Sequence, residues 1–378
     1  MGGLDCYEFP LKTLNVNLRL FEGCKWPNYL REIRTLPDFL VGLRNRKDRV
    51  DPVLSMPFLE SDYIPPPFFN NGHLQTVFAT VGRLVRGVRY RRERIATPDG
   101  DFLDLDWSRV GVKPAKRLVI LSHGLEGTSS KPYVLGMVRT LNRRGWDALA
   151  WNLRGCSGEP NKLLRSYHSG ATDDLEAVIT HVLKKYRYRS LALIGFSLGG
   201  NLTLKYLGEK GAGVDPRVQK AVAFSVPCHL KSTALHLGKL SNKLYLGVFL
   251  ASLSSKIRAK RKILPGRLPQ GNLWKVTSFR EFDDLFTAPI NGFKNAEEYW
   301  KKSSSEACLS GIRIPTLLVN AADDPFLPER CYPREKARKN PNLFLEIPKS
   351  GGHVGFIAFN RLGEYWSETR AASFLESF

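Results

Sequence analysis

The sequence has no long uninterrupted apolar segment. Its longest apolar run, Leu244 to Leu253, falls well short of the roughly 20 residues that a helix needs to cross a bilayer. The first residues, Met1 to Glu8, also lack the basic and then apolar pattern of a secretory signal. The sequence therefore predicts neither a membrane-spanning nor a secreted protein, and we expect the chain to act in the cytoplasm.

Cysteine and histidine do not occur at the spacings of a metal site. The six cysteines are scattered singly along the chain, a pattern typical of reduced thiols in a cytoplasmic protein. Five histidines also show no ligand spacing with cysteine or carboxylate: His73, His168, His181, His229 and His236. We therefore expect neither a metal ion nor a cofactor.

Acidic residues are scarce relative to basic ones. The chain has 36 Asp and Glu against 57 Lys and Arg, a formal net charge of +21, which favours anionic partners such as nucleic acids, phospholipid headgroups or acidic metabolites. The basic residues are spread along the chain and accompany no helix-turn-helix, zinc-finger or RNA-binding signature, so the charge does not predict a nucleic-acid partner. The simplest alternative is a basic surface that keeps the protein in solution.

Apolar strand-like runs alternate with amphipathic helical segments over most of the chain. Two alternating runs, 88–96 and 102–107, flank Pro98-Asp99-Gly100 and predict a β-hairpin. The later alternation predicts an α/β fold, with a mostly parallel central sheet and helices on both faces. The predicted strands after the hairpin are 118–122, 148–152, 191–196, 218–226, 314–320 and 343–347, and the predicted helices are 133–144, 172–186, 198–207 and 365–375.

Residues 227–311 interrupt this alternation with helical material rich in Leu, Lys, Arg and aromatic residues. An insertion at this point predicts a helical cap over the carboxyl ends of the strands, where open α/β sheets bind their ligands. Residues 1–60 contain several prolines and show no clear period. We expect them to form an N-terminal arm, followed by an α/β domain over 61–378.

The pentapeptide Gly195-Phe-Ser-Leu-Gly199 stands between an apolar strand and a helix. This is the pattern of a nucleophile elbow, in which a strained turn exposes a serine hydroxyl and two glycines let the neighbouring backbones approach. We predict Ser197 as a catalytic nucleophile. The alternative is an ordinary strand-to-helix turn.

A serine nucleophile needs a histidine base and a carboxylate that orients the histidine. In folds with this elbow they follow the serine in the order Asp, His. Asp323 and Asp324 come directly after one predicted strand, and His353 follows the next. We predict His353 as the base and Asp324 as the acid, because Pro-Phe-Leu-Pro follows Asp324 as in the usual acid loop. Asp323 remains the alternative.

The tetrahedral intermediate of acyl transfer needs two N–H donors for its oxyanion. One is predicted to be the amide of Leu198, directly after the serine. The other is expected from the loop Ser122-His-Gly-Leu-Glu-Gly127, in which we choose the amide of Leu125. We interpret His123 of this loop as structural, and Cys156 as a packed thiol rather than a second nucleophile.

Together these segments resemble the YheT-like branch of the α/β-hydrolase superfamily, the AB hydrolase 4 family. The resemblance implies a serine hydrolase with Ser197, Asp324 and His353 as a charge-relay triad. It also implies a family of carboxylesterases in which some eukaryotic relatives act on phospholipids or monoacylglycerols and some fungal ones make medium-chain acyl esters. The matching segments are 71–76, 123–127, 152–158, 167–170, 195–201, 282–284, 323–326 and 352–353.

We therefore predict a hydrolase that cleaves a carboxylic ester of a small acyl or lipid substrate through an acyl-enzyme. Two alternatives remain: an acyltransferase that makes medium-chain acyl esters with the same triad, and a non-catalytic basic binding module. One segment bears on the substrate, because the apolar run 244–253 continues into the basic cluster 256–262. It is interpreted either as a cap helix with a solvated basic end or as a contact with an anionic membrane that admits acyl chains.

Overall fold

A nine-stranded sheet lies at the centre of the computed structural model, which describes residues 57–112 and 115–377. The strands in these residues are β1 (Phe58–Leu59), β2 (Arg91–Ala96), β3 (Phe102–Ser108), β4 (Arg117–Ser122), β5 (Asp147–Asn152), β6 (Ser190–Phe196), β7 (Val218–Phe224), β8 (Thr316–Val319) and β9 (Leu343–Glu346). The α-helices are α1 (Gly72–Val81), α2 (Pro132–Arg143), α3 (Thr172–Lys185), α4 (Leu198–Lys210), α5 (Leu230–Leu237), α6 (Lys243–Ile263), α7 (Phe279–Phe282), α8 (Ala288–Ile290), α9 (Ala296–Ser303), α10 (Arg334–Arg338) and α11 (Trp366–Glu376).

The strand order is β1-β9-β8-β7-β6-β4-β5-β3-β2. Neighbours from β1 through β5 in this order run parallel, whereas β5 with β3 and β3 with β2 run antiparallel. The α/β fold with a mostly parallel sheet is therefore confirmed. The predicted hairpin is its antiparallel edge, with the first strand beginning at Arg91 rather than at residue 88.

Alternate residues of β4 enter opposite cores, as expected for a strand between two layers of helices. Leu118 and Ile120 belong to the apolar cluster that includes α3 and α4, whereas Val119 and Leu121 belong to the one that includes α2 and α11. All four side chains are completely buried. Because the helices cover both faces, the carboxyl ends of the parallel strands are where a ligand can reach the sheet.

Helices α5 to α9 lie between β7 and β8, inside the span that the sequence predicts as a cap. They have an apolar cluster of their own, built from side chains such as Leu250 and Phe286. Leu125 and Phe326, from loops at the carboxyl ends of β4 and β8, pack into the same cluster. These helices therefore cover the end of the sheet at which the predicted site residues stand.

Two further sequence expectations concern the ends of the chain and the membrane. Residues 1–56, most of the predicted arm, lie outside the described residues, while β1 pairs with β9 at the edge of the sheet. Among the helices that the structure describes, none combines the length and the hydropathy of a membrane span.

Candidate active site

Ser197 occupies the turn between β6 and α4 with a φ of 52°, a conformation that non-glycine residues rarely adopt. Its two flanking glycines make this turn sterically feasible. A Cβ on Gly195 would lie 2.4 Å from the carbonyl oxygen of Gly199, and one on Gly199 would lie 2.3 Å from that of Ser122. The elbow therefore requires glycine at both positions, and it presents the Ser197 hydroxyl at the carboxyl end of the sheet.

A continuous hydrogen-bond chain joins the three residues predicted as a triad. The Oγ of Ser197 lies 2.9 Å from Nε2 of His353, and Nδ1 of His353 lies 2.9 Å from Oδ2 of Asp324. The Asp324 side chain is fully buried, and its Oδ1 also accepts the amide of Phe326 at 2.9 Å. A carboxylate in this position holds the imidazole with Nε2 facing the serine, as a general base requires.

Asp323, the alternative acid, binds a different group. Its Oδ1 accepts the N–H of Gly352 at 2.9 Å, and burial raises the pKa of its carboxyl group. Within the described residues, no hydrogen bond joins Asp323 to the imidazole of His353. Asp324 therefore makes the contact that the predicted acid needs, while Asp323 binds the loop that carries His353.

Helix α1 supports both of these loops. The N–H of His353 donates to Oγ1 of Thr76 at 2.8 Å. Gly72 approaches the acid loop so closely that a Cβ there would lie 1.9 Å from the carbonyl oxygen of Asp323. The segment 71–76, which sequence reasoning matched to a family without assigning it a role, thus positions the acid and the base.

The predicted oxyanion donors lie beside the nucleophile. Leu198 is the first residue of α4, and the first N–H groups of a helix lack intrahelical acceptors. Leu125 follows β4, and both leucines line the cavity that opens onto Ser197. Neither amide donates to an acceptor within the part of the chain that the structure describes. Both N–H groups are therefore available to an oxyanion.

Hydrogen bonds on either side fix the loop that carries Leu125. The N–H of Gly124 donates to the hydroxyl of Tyr133 at 3.0 Å, and that of Glu126 donates to the hydroxyl of Tyr167 at 3.2 Å. Glu126 itself has a φ of 53°. The loop therefore presents the Leu125 amide from a backbone that is bound on both sides.

His123 binds the backbone of the same loop and of the loop after β5, in agreement with its predicted structural role. Its Nδ1 donates to the carbonyl of Gly124 at 2.8 Å, and its Nε2 accepts the N–H of Leu153 at 3.1 Å. The second contact requires the neutral ring, because a protonated imidazole has no acceptor. Burial lowers the pKa of His123 to about 4, which keeps the ring neutral at physiological pH.

The Glu126 carboxylate connects the oxyanion loop to α6. It accepts the hydroxyls of Tyr167 and Ser252, and Nζ of Lys256 lies 3.0 Å from its Oε1. The same Nζ lies 2.8 Å from Sγ of Cys156. Burial raises the pKa of the Cys156 thiol to about 11, as expected for a packed thiol and not for a nucleophile.

The basic cluster of α6 departs from the expectation of a solvated end. Lys256 is bound to the oxyanion loop, and Lys260 is 4% exposed, with Nζ 2.8 Å from Oδ1 of Asn161 and 3.0 Å from Oγ of Ser166. Burial lowers the pKa of Lys260 to about 8. The helix packs on the domain as one interpretation predicted. Two of its lysines face inward because polar groups in the loops after β4 and β5 bind them. Helical periodicity in the sequence does not locate these loops.

A cavity of about 120 Å³ opens onto Ser197 and His353. Most of its wall is apolar: Leu125, Leu198, Pro227, Leu230, Ala234, Leu237, Phe249, Leu253, Phe279, Phe326 and Leu327. An apolar cavity beside a nucleophile is suited to an acyl chain. Although 167–170 and 282–284 are among the segments that resemble the family, sequence reasoning assigned no role to the polar wall residues: His168, Ser169, Thr233, Asp283, Thr287 and Tyr299. In the described residues, no cluster of three His, Cys, Asp or Glu side chains could hold a metal ion.

Comparison with known proteins places this chain in a family. Residues 117–358 match a family model described as the alpha/beta hydrolase fold. The chain is 36% identical over 328 residues to YheT of Escherichia coli, whose name assigns it provisionally to the esterases; the match covers 84% of this chain and 94% of that protein. It is 31% identical over 336 residues to phospholipase ABHD3 of Mus musculus, covering 87% and 81%.

The fold also resembles a solved structure. The Pyrococcus furiosus esterase Pf2001 superposes on the chain with a TM-score of 0.51 at 19% identity, over 78% of this chain and 95% of that one. At this identity the likeness concerns the fold alone.

Proposed function

This chain belongs to the α/β-hydrolase family, in its YheT-like branch, and we propose that it is a serine esterase that cleaves a carboxylic ester of an acyl or lipid substrate. The observation that carries the proposal is the unbroken hydrogen-bond chain from Ser197 through His353 to Asp324 beside an apolar cavity. Relatives named for esterase and phospholipase activity support an ester as the substrate.

Acylation begins when Oγ of Ser197 attacks the ester carbonyl while Nε2 of His353 takes the hydroxyl proton. Asp324 stabilises the resulting imidazolium through Nδ1–H. The oxyanion accepts hydrogen bonds from the N–H groups of Leu125 and Leu198. In other hydrolases the loss of one such donor raises the activation free energy by about 3 kcal/mol. The carbon–oxygen bond of the ester then breaks, His353 gives its proton to the leaving alcohol, and the acyl group stays on the serine.

Deacylation repeats these steps with water as the nucleophile. His353 takes a proton from the water, hydroxide adds to the acyl carbonyl, and the serine leaves with the proton that His353 returns. An alcohol in the place of the water would give a new ester, which is the acyltransferase alternative. Adding an alcohol acceptor and measuring new ester against free acid tests which acceptor the site uses.

The decisive experiment compares wild type, Ser197→Ala and the control Ser130→Ala, whose residue is an exposed serine next to α2. The substrates are p-nitrophenyl esters with acyl chains of two to twelve carbons. We expect activity to peak at one chain length, to fall at least about a thousandfold in Ser197→Ala and to persist in the control. No hydrolysis at any length, together with no labelling of Ser197 by a fluorophosphonate, would overturn the proposal and favour the binding module.

A further inference from the structure

The polar part of the cavity wall contains a carboxyl group that the proposed mechanism does not use. Asp283 is 7% exposed and begins the π-helical turn Asp283–Thr287, between α7 and α8. Such turns are rare and occur frequently at functional sites. Oδ2 of Asp283 accepts the indole N–H of Trp300 at 2.8 Å, which fixes the carboxyl group at the wall.

Asp283 differs from most other buried carboxylates of the protein, because no cation neutralises it within the described residues. Arginines pair with several of the others: Arg94 with Asp104, Arg92 with Asp106, Arg154 with Asp174, Arg370 with Glu346, and Arg83 with Glu368. An unpaired carboxylate is costly to bury, and burial raises the pKa of Asp283 to about 7. Near neutral pH the group therefore carries a proton part of the time, and it can donate as well as accept.

His168 contributes a hydrogen-bond donor to the same wall. The residue is 8% exposed, and its Nδ1 accepts the N–H of Gly170 at 3.1 Å. Burial lowers the pKa of His168 to about 3, so the ring is neutral. A neutral imidazole whose Nδ1 accepts has its proton on Nε2. No described residue accepts a hydrogen bond from Nε2, which leaves this donor for a ligand.

Helix α9 connects the two groups. Tyr299 packs edge-on against the His168 ring at a centroid distance of 6.0 Å, and the next residue, Trp300, binds Asp283. The Tyr299 hydroxyl is already engaged, since it donates to Oγ of Ser169 at 2.9 Å and accepts the N–H of Ser169 at 3.2 Å. The two threonine hydroxyls of this wall are engaged as well, since Thr287 hydrogen-bonds the Asp283 carboxyl group and Thr233 donates to the carbonyl of His229 at 3.2 Å. The polar wall therefore offers a ligand one N–H donor and one carboxyl group.

We propose that His168 and Asp283 form a subsite for a hydroxyl group of the ester substrate. This inference rests on the function proposed above and narrows the substrate to an ester with a free hydroxyl, on either its acyl chain or its alcohol. The hydroxyl accepts the Nε2–H of His168 and donates to the Asp283 carboxyl group. A methyl group in the same place would leave the Nε2–H of His168 without an acceptor and would offer no donor to the Asp283 carboxyl group, so the subsite discriminates against esters without the hydroxyl.

Two pairs of substrates test the subsite and locate the hydroxyl. Monooctanoylglycerol against propyl octanoate tests the alcohol, and p-nitrophenyl hydroxyoctanoates against p-nitrophenyl octanoate test the acyl chain. For wild type we expect kcat/KM to be at least about tenfold higher for the hydroxyl-bearing member of one pair. A ratio near one in both pairs, or a preference for octanoylcholine over every hydroxyl ester, would overturn the subsite. If no ester is hydrolysed, the proposed function itself fails.

Variants of Asp283 then test whether its carboxyl group is responsible for the preference. In Asp283→Leu we expect the ratio between paired substrates to fall close to one, and an unchanged ratio would contradict the proposal. Leucine at 283 leaves the indole N–H of Trp300 without an acceptor. The double variant Asp283→Leu with Trp300→Phe removes this N–H as well, so it repeats the test without an unpaired buried donor. The matched control is Asp284→Asn, at the exposed neighbour whose Oδ1 accepts the N–H of Ala296 at 2.7 Å, and it should keep the wild-type ratio.

Discussion

Two adjacent carboxylates after β8 have different environments and different partners. Asp324 is fully buried and binds the imidazole of His353, whereas Asp323 binds the backbone N–H of Gly352. The two side chains are chemically identical, so any difference between their roles comes from these contacts. The pair therefore serves as its own matched control for the role of the triad acid.

Asp324→Asn should lower kcat about ten-thousandfold, because an amide in this position favours the wrong tautomer of the histidine. Asp323→Asn keeps an oxygen that accepts the Gly352 N–H, so we expect a loss below about tenfold. Steady-state kinetics on the preferred p-nitrophenyl ester measures both. Equal losses in the two variants would contradict this division of roles.

One face of helix α6 contacts the loop that carries Leu125. On its inner side, Ser252 and Lys256 bind the Glu126 carboxylate, next to Leu125, the predicted oxyanion donor. The Lys256–Glu126 ion pair thus joins the helices between β7 and β8 to the loop after β4. The position of the Leu125 amide is therefore expected to depend on α6.

Lys256→Met should reduce kcat by about tenfold or more with little change in KM, because it leaves the buried Glu126 without its cation and loosens the oxyanion loop. Lys256→Arg, which restores the charge, should recover part of the loss. Lys262→Met, at an exposed position near the end of the same helix, is the control. A variant that loses thermal stability but keeps its kcat would show that the contact supports the fold alone.

At the scale of the whole molecule, the net charge of +21 coincides with an exposed apolar face on the cap. Leu240, Leu244 and Val248 are 80%, 86% and 69% exposed, and the side chains of Lys239 and Lys243 stand exposed beside them. One interpretation of the sequence was that the apolar run 244–253 and the basic cluster 256–262 contact an anionic membrane. Leu244 and Val248 belong to that run and are exposed, but Lys239 and Lys243 are the exposed lysines beside them, whereas two lysines of the basic cluster face inward. The predicted contact with an anionic membrane is therefore assigned to this face.

Pelleting with liposomes tests this contact. We expect the protein to sediment with vesicles that contain anionic lipid, less so at high salt, and to stay in the supernatant with neutral vesicles. The double variant Leu244→Gln with Val248→Gln should weaken the binding, whereas Leu362→Gln, at an exposed leucine outside the cap, should not. Absence of binding at low salt, or equal binding of both variants, would exclude this face as the contact.

The sequence by itself determined the fold class, the elbow at Ser197 and the order of the acid and base loops. These features are local: strand and helix periods repeat every two or 3.6 residues, and the elbow is specified by glycines two positions away. His353 was identified for the same reason, as the histidine of a strand-end loop. The catalytic roles of these residues stay predictions for the experiments above.

Only the tertiary structure shows that Asp324, and not Asp323, binds His353, where the segment 71–76 lies, and that Lys256 and Lys260 face inward. It also brought His168 and Asp283 to one cavity wall. Each of these results depends on contacts between residues far apart in the chain, such as Thr76 with His353. Burial and hydrogen-bond partners at such distances follow from how the layers pack, and no local period or spacing in the sequence encodes them.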